Sequence, residues 1–202
     1  MIIGVTGPSG AGKSVLCSML AERGFRIFDC DGIYHDIISG PGDCTAELAS
    51  RFGTGIIDNE TGGIDRSALA DTVFGNDRAL ADLNSITHKY VLQAVRGLVG
   101  QAEEEGVSCV IDAPLLFESK CDLICDITVG VLASRRNRIL RLIERDGKRR
   151  TPTQILARID AAKPEQFYRG QCTYIFRNKG SLEDMATFAD KIAAIAASAQ
   201  EV

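Results

Sequence analysis

The chain has 202 residues, a length that suits one α/β domain carrying insertions better than two independent domains. Hydrophobic residues make up 45% and charged residues 25%, the balance of a soluble globular protein that can fill a core. A net charge of −4 gives no reason to expect nucleic-acid binding, and no stretch approaches the roughly 20 apolar residues of a membrane span.

The first strand expected is Ile2-Ile3-Gly4-Val5-Thr6, with no signal peptide before it, so a cytoplasmic protein is expected. Gly7-Pro8-Ser9-Gly10-Ala11-Gly12-Lys13-Ser14 follows as an unbroken G-x-x-x-x-G-K-S, and a helix is predicted over 14–21. Strand, glycine turn and helix start are the setting of a phosphate-binding loop. Its backbone N–H groups converge on phosphate oxygens at the positive end of the helix dipole. Lys13 then reaches the β- and γ-phosphates, and the Ser14 hydroxyl is placed to ligate Mg²⁺.

Gly24 is expected as the C′ residue of that helix, followed by a second strand at 25–29 that delivers Asp29-Cys30-Asp31. Residues 33–104 lack a long central strand. Helical periodicity at 45–52, 66–74 and 78–101 reads as a helical insertion broken by Gly-rich turns. A third strand is predicted at 107–111, ending in Asp112-Ala113-Pro114, and a fourth at 127–132, with Ser134 capping the next helix. Thr151-Pro152-Thr153-Gln154 is a capping box with Pro at the first helical position. A short fifth strand at 174–176 and a closing helix at 182–199 complete an alternating pattern. It implies a parallel sheet with helices on both faces. Seven cysteines, an odd number without a C-x-x-C pair, fit reduced and mostly buried thiols.

Ligands of open α/β sheets bind beyond the carboxyl ends of the strands, where the phosphate loop, Asp29 with Asp31, and Asp112 fall. One of the Asp29/Asp31 pair can accept a proton from an acceptor hydroxyl in line with a γ-phosphate. The bland alternative is that Asp31 caps a helix beginning at Gly32. Asp112 is either a Walker-B carboxylate holding Mg²⁺ or a turn residue before Pro114. The densest basic stretch runs from Arg135 to Arg150. Ile139, Leu142 and Ile143 are expected on the buried face of its helix, and Arg138, Arg141 and Arg145 on another. Arg141 or Arg145 suits a transferring phosphoryl group, whereas a solvated face is the alternative, and an RNA patch finds no interleaved aromatics. His35 stands one turn beyond Asp31, but a packed or solvent-facing histidine is the default for both His35 and His88.

Beyond the loop, several segments resemble the dephospho-coenzyme A kinase family. These are Phe28-Asp29-Cys30-Asp31 with His35, Gly63-Ile64-Asp65-Arg66-Ser67-Ala68-Leu69, and Leu83-Asn84-Ser85-Ile86-Thr87-His88. Pro114-Leu115-Leu116-Phe117-Glu118, Arg141 to Asp146, Arg158-Ile159 and Asn178-x-Gly180 continue the match to about residue 180. The chain departs from the family at Lys89, Lys163 and Cys172-Thr173.

The resemblance implies a P-loop kinase three-layer sandwich with a five-stranded parallel sheet, a helical substrate-binding insertion at 31–105 and a lid at 141–172, all within one domain of 1–202. It implies ATP- and Mg²⁺-dependent transfer to the ribose 3′-hydroxyl of dephospho-CoA, with no nucleic-acid or membrane partner. Thr6, Gly7, Gly10, Ala11, Gly12, Lys13, Ser14 and Val15 would surround the nucleotide phosphates, and Ser14 and Asp112 the metal. Asp31 would be the base, Lys13 and Arg141 would stabilise the migrating charge, and His35, Arg66, Pro114 and Leu115 would contact the acceptor. The alternatives are a kinase of another small molecule and a nucleotide-gated switch. The latter is weakened because Asn178-Lys179-Gly180-Ser181 lacks the Asp of a guanine-reading Asn-Lys-x-Asp.

Overall fold

The computed structural model describes residues 1–199. Among these, β1 (Ile2–Thr6), β2 (Arg26–Asp29), β3 (Cys109–Asp112), β4 (Ile127–Leu132) and β5 (Tyr174–Arg177) form one parallel sheet in the order β2-β3-β1-β4-β5. The central β1 is buried along its whole length, which is why it reads as a continuous apolar run rather than an alternation.

Its side chains still alternate between faces. Ile3 and Val5 pack under α1 (Lys13–Ala21) and the closing helix, while Ile2 packs with Val91, Val95 and Val99 on the opposite side. Helices therefore cover both faces, as expected of a parallel sheet.

The predicted insertion is present. It comprises α2 (Cys30–Ile38), α3 (Asp43–Phe52), α4 (Arg66–Val73) and the 28-residue α5 (Asp77–Glu104). The C-terminal half of α5 backs the sheet, and its N-terminal half closes a second small core with Ile38, Leu48, Ile56 and Leu69. After β4 come α6 (Arg135–Asp146), α7 (Pro152–Asp160) and α8 (Glu165–Gln171), then α9 (Leu182–Ser198) after β5. Ser134 caps α6 and the capping box at Thr151 is complete, as the sequence predicts.

Three local expectations are corrected. Asp29, not Asp31, caps the helix after β2, and that helix starts at Cys30 rather than Gly32. The buried face of α6 is turned from the expected one: Arg138 is only 8% exposed whereas Ile143 is 48% exposed. Gly24 has a positive φ of 87° but lies two residues beyond the Glu22 cap, so it is not the C′ residue.

Leu20 lies in the cluster that joins α1 and α9 to the sheet and is fully buried. Leu20→Ala is expected to cost about 2–5 kcal/mol in urea unfolding. A loss below about 1 kcal/mol would mean that this cluster does not anchor α1.

Candidate active site

The loop between β1 and α1 takes conformations that only glycine tolerates. Gly7 has φ 141°, and a Cβ there would lie 2.1 Å from the Val131 carbonyl oxygen. Side-chain donors, most of them from distant elements, hold the loop in this shape. Arg138 Nε donates to the Ser9 carbonyl at 2.9 Å, and Arg141 Nη1 to the Gly10 and Ala11 carbonyls at 3.2 and 3.1 Å. Arg158 Nε donates to Ser9 Oγ at 3.0 Å, and Lys13 Nζ to the Gly7 carbonyl at 3.1 Å. Burial lowers the pKa of Arg138, whose Nη2 is buried without a partner.

On the open side, a cavity of about 340 Å³ is walled by Gly10 to Val15, by Asp29, Asp31 and Asp112, and by Arg141, Arg145 and Arg158. The parallel register sets Asp29 level with Asp112. Asp29 spends its carboxylate on the Asp31 N–H at 3.0 Å, which leaves the Asp31 side chain for the cleft.

Asp31 is open to the cleft, yet the protein around it desolvates the carboxyl. Burial, followed by the Asp29 charge, raises its pKa, while Lys13 and Arg158 pull it down. Burial raises Asp112 in the same way, with Lys13 opposing and Asp29 adding to the shift. One Asp112 oxygen, Oδ1, is buried with no hydrogen-bond partner. Among the described residues no cluster of three or more His, Cys, Asp or Glu side chains forms a ready-made metal cage.

A second cavity, of about 240 Å³, adjoins the first. Tyr34, Asn84, Thr87, His88, Val91 and Leu115 line it, and its surface is more apolar than that of the loop cavity. Asp31 and Pro114 line both cavities and form the wall between them. Thr6, expected at the phosphates, is buried beneath the wall, where its hydroxyl donates to the Pro114 carbonyl at 3.2 Å.

The structure thus brings together Gly10, Ala11, Gly12, Lys13, Ser14, Val15, Asp31, Asp112, Pro114 and Arg141, with Leu115 on the far side of the wall. His35 and Arg66 are exposed and line neither cavity, although the Arg66 charge acts on the Tyr34 hydroxyl. Sequence reasoning missed Tyr34, Asn84 and Thr87 and left His88 as a packed or solvent-facing residue. The spacing 84, 87, 88, 91 puts these side chains on one face of α5, a signal present in the sequence. Burial lowers the pKa of His88 and so favours its neutral imidazole, with Glu118 opposing the shift.

The dephospho-CoA kinase family model matches residues 1–184. The chain belongs to the dephospho-CoA kinase family. It is 37% identical over 183 residues to the dephospho-CoA kinase of Carboxydothermus hydrogenoformans, covering 90% of this chain and 87% of that one. It is 34% identical over 185 residues to that of Fusobacterium nucleatum, covering 92% and 93%. Among solved structures, a Thermus thermophilus protein superposes with a TM-score of 0.79 at 29% identity, covering 96% of both chains. The dephospho-CoA kinase of Campylobacter jejuni shares the fold, with a TM-score of 0.60 at 20% identity over 95% and 94% of the chains.

The raised carboxyl of Asp31 makes its ionisation a cost to folding. A carboxyl with a folded pKa above its unfolded value binds protons more tightly when folded, so stability falls as pH rises through the interval between the two values. Asp31→Asn is therefore expected to raise the thermal midpoint at pH 7, and the gain should vanish near pH 4 and below. A midpoint at pH 7 equal to or below that of the unmodified protein would contradict this assignment.

Proposed function

We propose that the loop cavity is the donor side and the adjoining cavity the acceptor side of dephospho-CoA phosphorylation. The γ-phosphoryl group of ATP passes to the ribose 3′-hydroxyl of dephospho-CoA, giving CoA and ADP. The observation that carries this reading is the shared wall: Asp31 and Pro114 belong to both cavities. A hydroxyl presented from the acceptor side meets Asp31 in line with a phosphate held on the loop.

The loop's N–H groups and Lys13 hold the nucleotide phosphates, and Arg141, with Arg145 and Arg158 beside it, faces the charge that spreads over the transferring group. As the new oxygen–phosphorus bond forms and the bond to the departing ADP oxygen breaks, the hydroxyl proton passes to Asp31. The raised pKa of that carboxyl improves it as a base.

The residues present fit Mg²⁺. Asp112 offers a carboxylate and Ser14 a hydroxyl on the same cavity, the hard oxygen ligands this ion requires. When bound, the ion neutralises phosphate charge. Ser14 and Asp112 would hold it, directly or through water.

On the acceptor side, Tyr34, Asn84 and His88 supply polar contacts within an otherwise apolar wall. Arg66 and His35 are assigned to the outer part of the acceptor, where the Arg66 charge reaches Tyr34. In this reading the 31–105 insertion holds dephospho-CoA and 141–172 forms the lid over the donor side. The reaction joins two small molecules in the cytoplasm and needs neither nucleic acid nor a membrane. Among the described residues no helix is long and apolar enough to cross one.

An acceptor panel with ADP detection tests the assignment. Dephospho-CoA is expected to exceed adenosine, AMP, uridine and shikimate, and a preference for any of these would overturn it. Asp31→Asn is expected to lose at least about 10²-fold in kcat while still binding ATP. Near-normal turnover would remove Asp31 from the proton step.

A further inference from the structure

Asn178 belongs to none of the roles above, and the guanine-reading motif it superficially resembles is incomplete. It is the first residue after β5 and is only 5% exposed. Its backbone N–H donates to the Leu132 carbonyl at 2.7 Å, so the end of β4 fixes its position.

Its side chain uses both ends of the amide. Nδ2 donates to the Ala11 carbonyl at 2.8 Å. Oδ1 accepts from Arg141 Nη2 at 3.1 Å and from the Gly180 N–H at 2.9 Å. Arg141 in turn donates through Nη1 to the Gly10 and Ala11 carbonyls. Asn178, Arg141 and the Ala11 carbonyl thus close a three-cornered network directly behind the phosphate loop.

The fit is tight. Gly12 has φ 107°, and a Cβ there would lie 2.4 Å from Asn178 Nδ2. Gly12 is therefore required by its backbone conformation and by the amide packed against it. In a planar trans peptide the Ala11 carbonyl and the Gly12 N–H point in opposite directions. Holding that carbonyl against Asn178 and Arg141 turns the Gly12 N–H toward the phosphate side.

We infer that Asn178 is a positioning residue for phosphoryl transfer, which orients the Arg141 guanidinium and the Ala11–Gly12 peptide toward the triphosphate. This rests on the kinase reading above and on the placement of Arg141 at the transferring group. A carboxylate cannot replace the amide, because Asp would retain the acceptor for Arg141 and lose the donor for Ala11. It would set an anion against a carbonyl oxygen beside the anionic nucleotide.

The test uses purified full-length protein with Asn178→Ala, Asn178→Asp, Arg141→Ala and the double variant Asn178→Ala/Arg141→Ala. Each is checked for folding by circular dichroism and assayed with ATP and dephospho-CoA. Asn178→Ala is expected to lower kcat about 10- to 100-fold, the range for a lost buried hydrogen bond to a charged group, and to leave KM for dephospho-CoA within about twofold. Asn178→Asp should lose at least as much, although it is isosteric and folds.

The decisive readout is coupling. If Asn178 and Arg141 act in one network, the double variant loses clearly less than the product of the two single losses, whereas independent roles would multiply them. Multiplicative losses, or normal kcat in folded Asn178→Asp, would overturn the proposal. Failure of the kinase reading is distinguishable, because the unmodified protein would then give no turnover of dephospho-CoA. Failure of the Arg141 placement would appear as an active Arg141→Ala variant.

Discussion

A phosphate cradle needs its N–H groups turned inward, and peptide planarity then turns the preceding carbonyls outward, where each requires a donor. In this chain the carbonyls of Ser9, Gly10 and Ala11 find theirs in Arg138, Arg141 and Asn178, between 129 and 167 residues further along the sequence. The sheet order explains why those donors are at hand. With β4 beside β1 and β5 beside β4, the segments that leave β4 and β5 emerge next to the loop. The loop is local in sequence, but its working shape is a tertiary property.

The opposite side of the loop is arranged by charge. Asp29, Asp31 and Asp112 converge because β2 and β3 end in register. Burial raises the pKa of Asp31 and Asp112, and the mutual proximity of the three carboxylates adds to the shift, with Lys13 opposing it. Such a group is unfavourable for stability and useful for proton transfer and metal binding, a combination typical of functional sites. The helix cap divides the labour. Asp29 accepts from the Asp31 N–H at the start of α2, so the Asp31 carboxylate is not consumed by the backbone.

Elements set by short-range chemistry were legible in the sequence. The glycine loop, the apolar strand before it, the Ser134 cap and the Thr151 capping box all stand where spacing put them. The illegible parts answer to distant partners. The stripe Ile139, Leu142 and Ile143 looks like the inner face of α6, yet Ile143 is exposed and Arg138 is buried. The Ser9 carbonyl needs a donor that no apolar side chain can supply. Asp31 could also be read as a cap, because nothing local says that the helix begins two residues before Gly32, at Cys30, with Asp29 as its cap. His88 looked like a packed or solvent-facing histidine, and its face of α5 became meaningful only against the 113–119 turn. The short helix α8, opening at Pro164, offers too few residues for a periodic signal.

Two cores carry the two halves of the donor side, and this separation has a mechanical consequence. The wall of Asp31 and Pro114 is built on the sheet: Thr6 of β1 holds Pro114, and the Ala113 N–H donates to the Val5 carbonyl at 3.0 Å. The arginines stand on α6 and α7, whose contact is a small separate cluster of Leu142, Ile155 and Ile159. A displacement of α7 would thus withdraw Arg158 from Ser9 while Asp31 keeps its position. Arg141 is different, because it also bonds the loop carbonyls after β1 and Asn178 after β5. The fold therefore fixes Arg141 beside the loop and leaves Arg158 on an element with its own core.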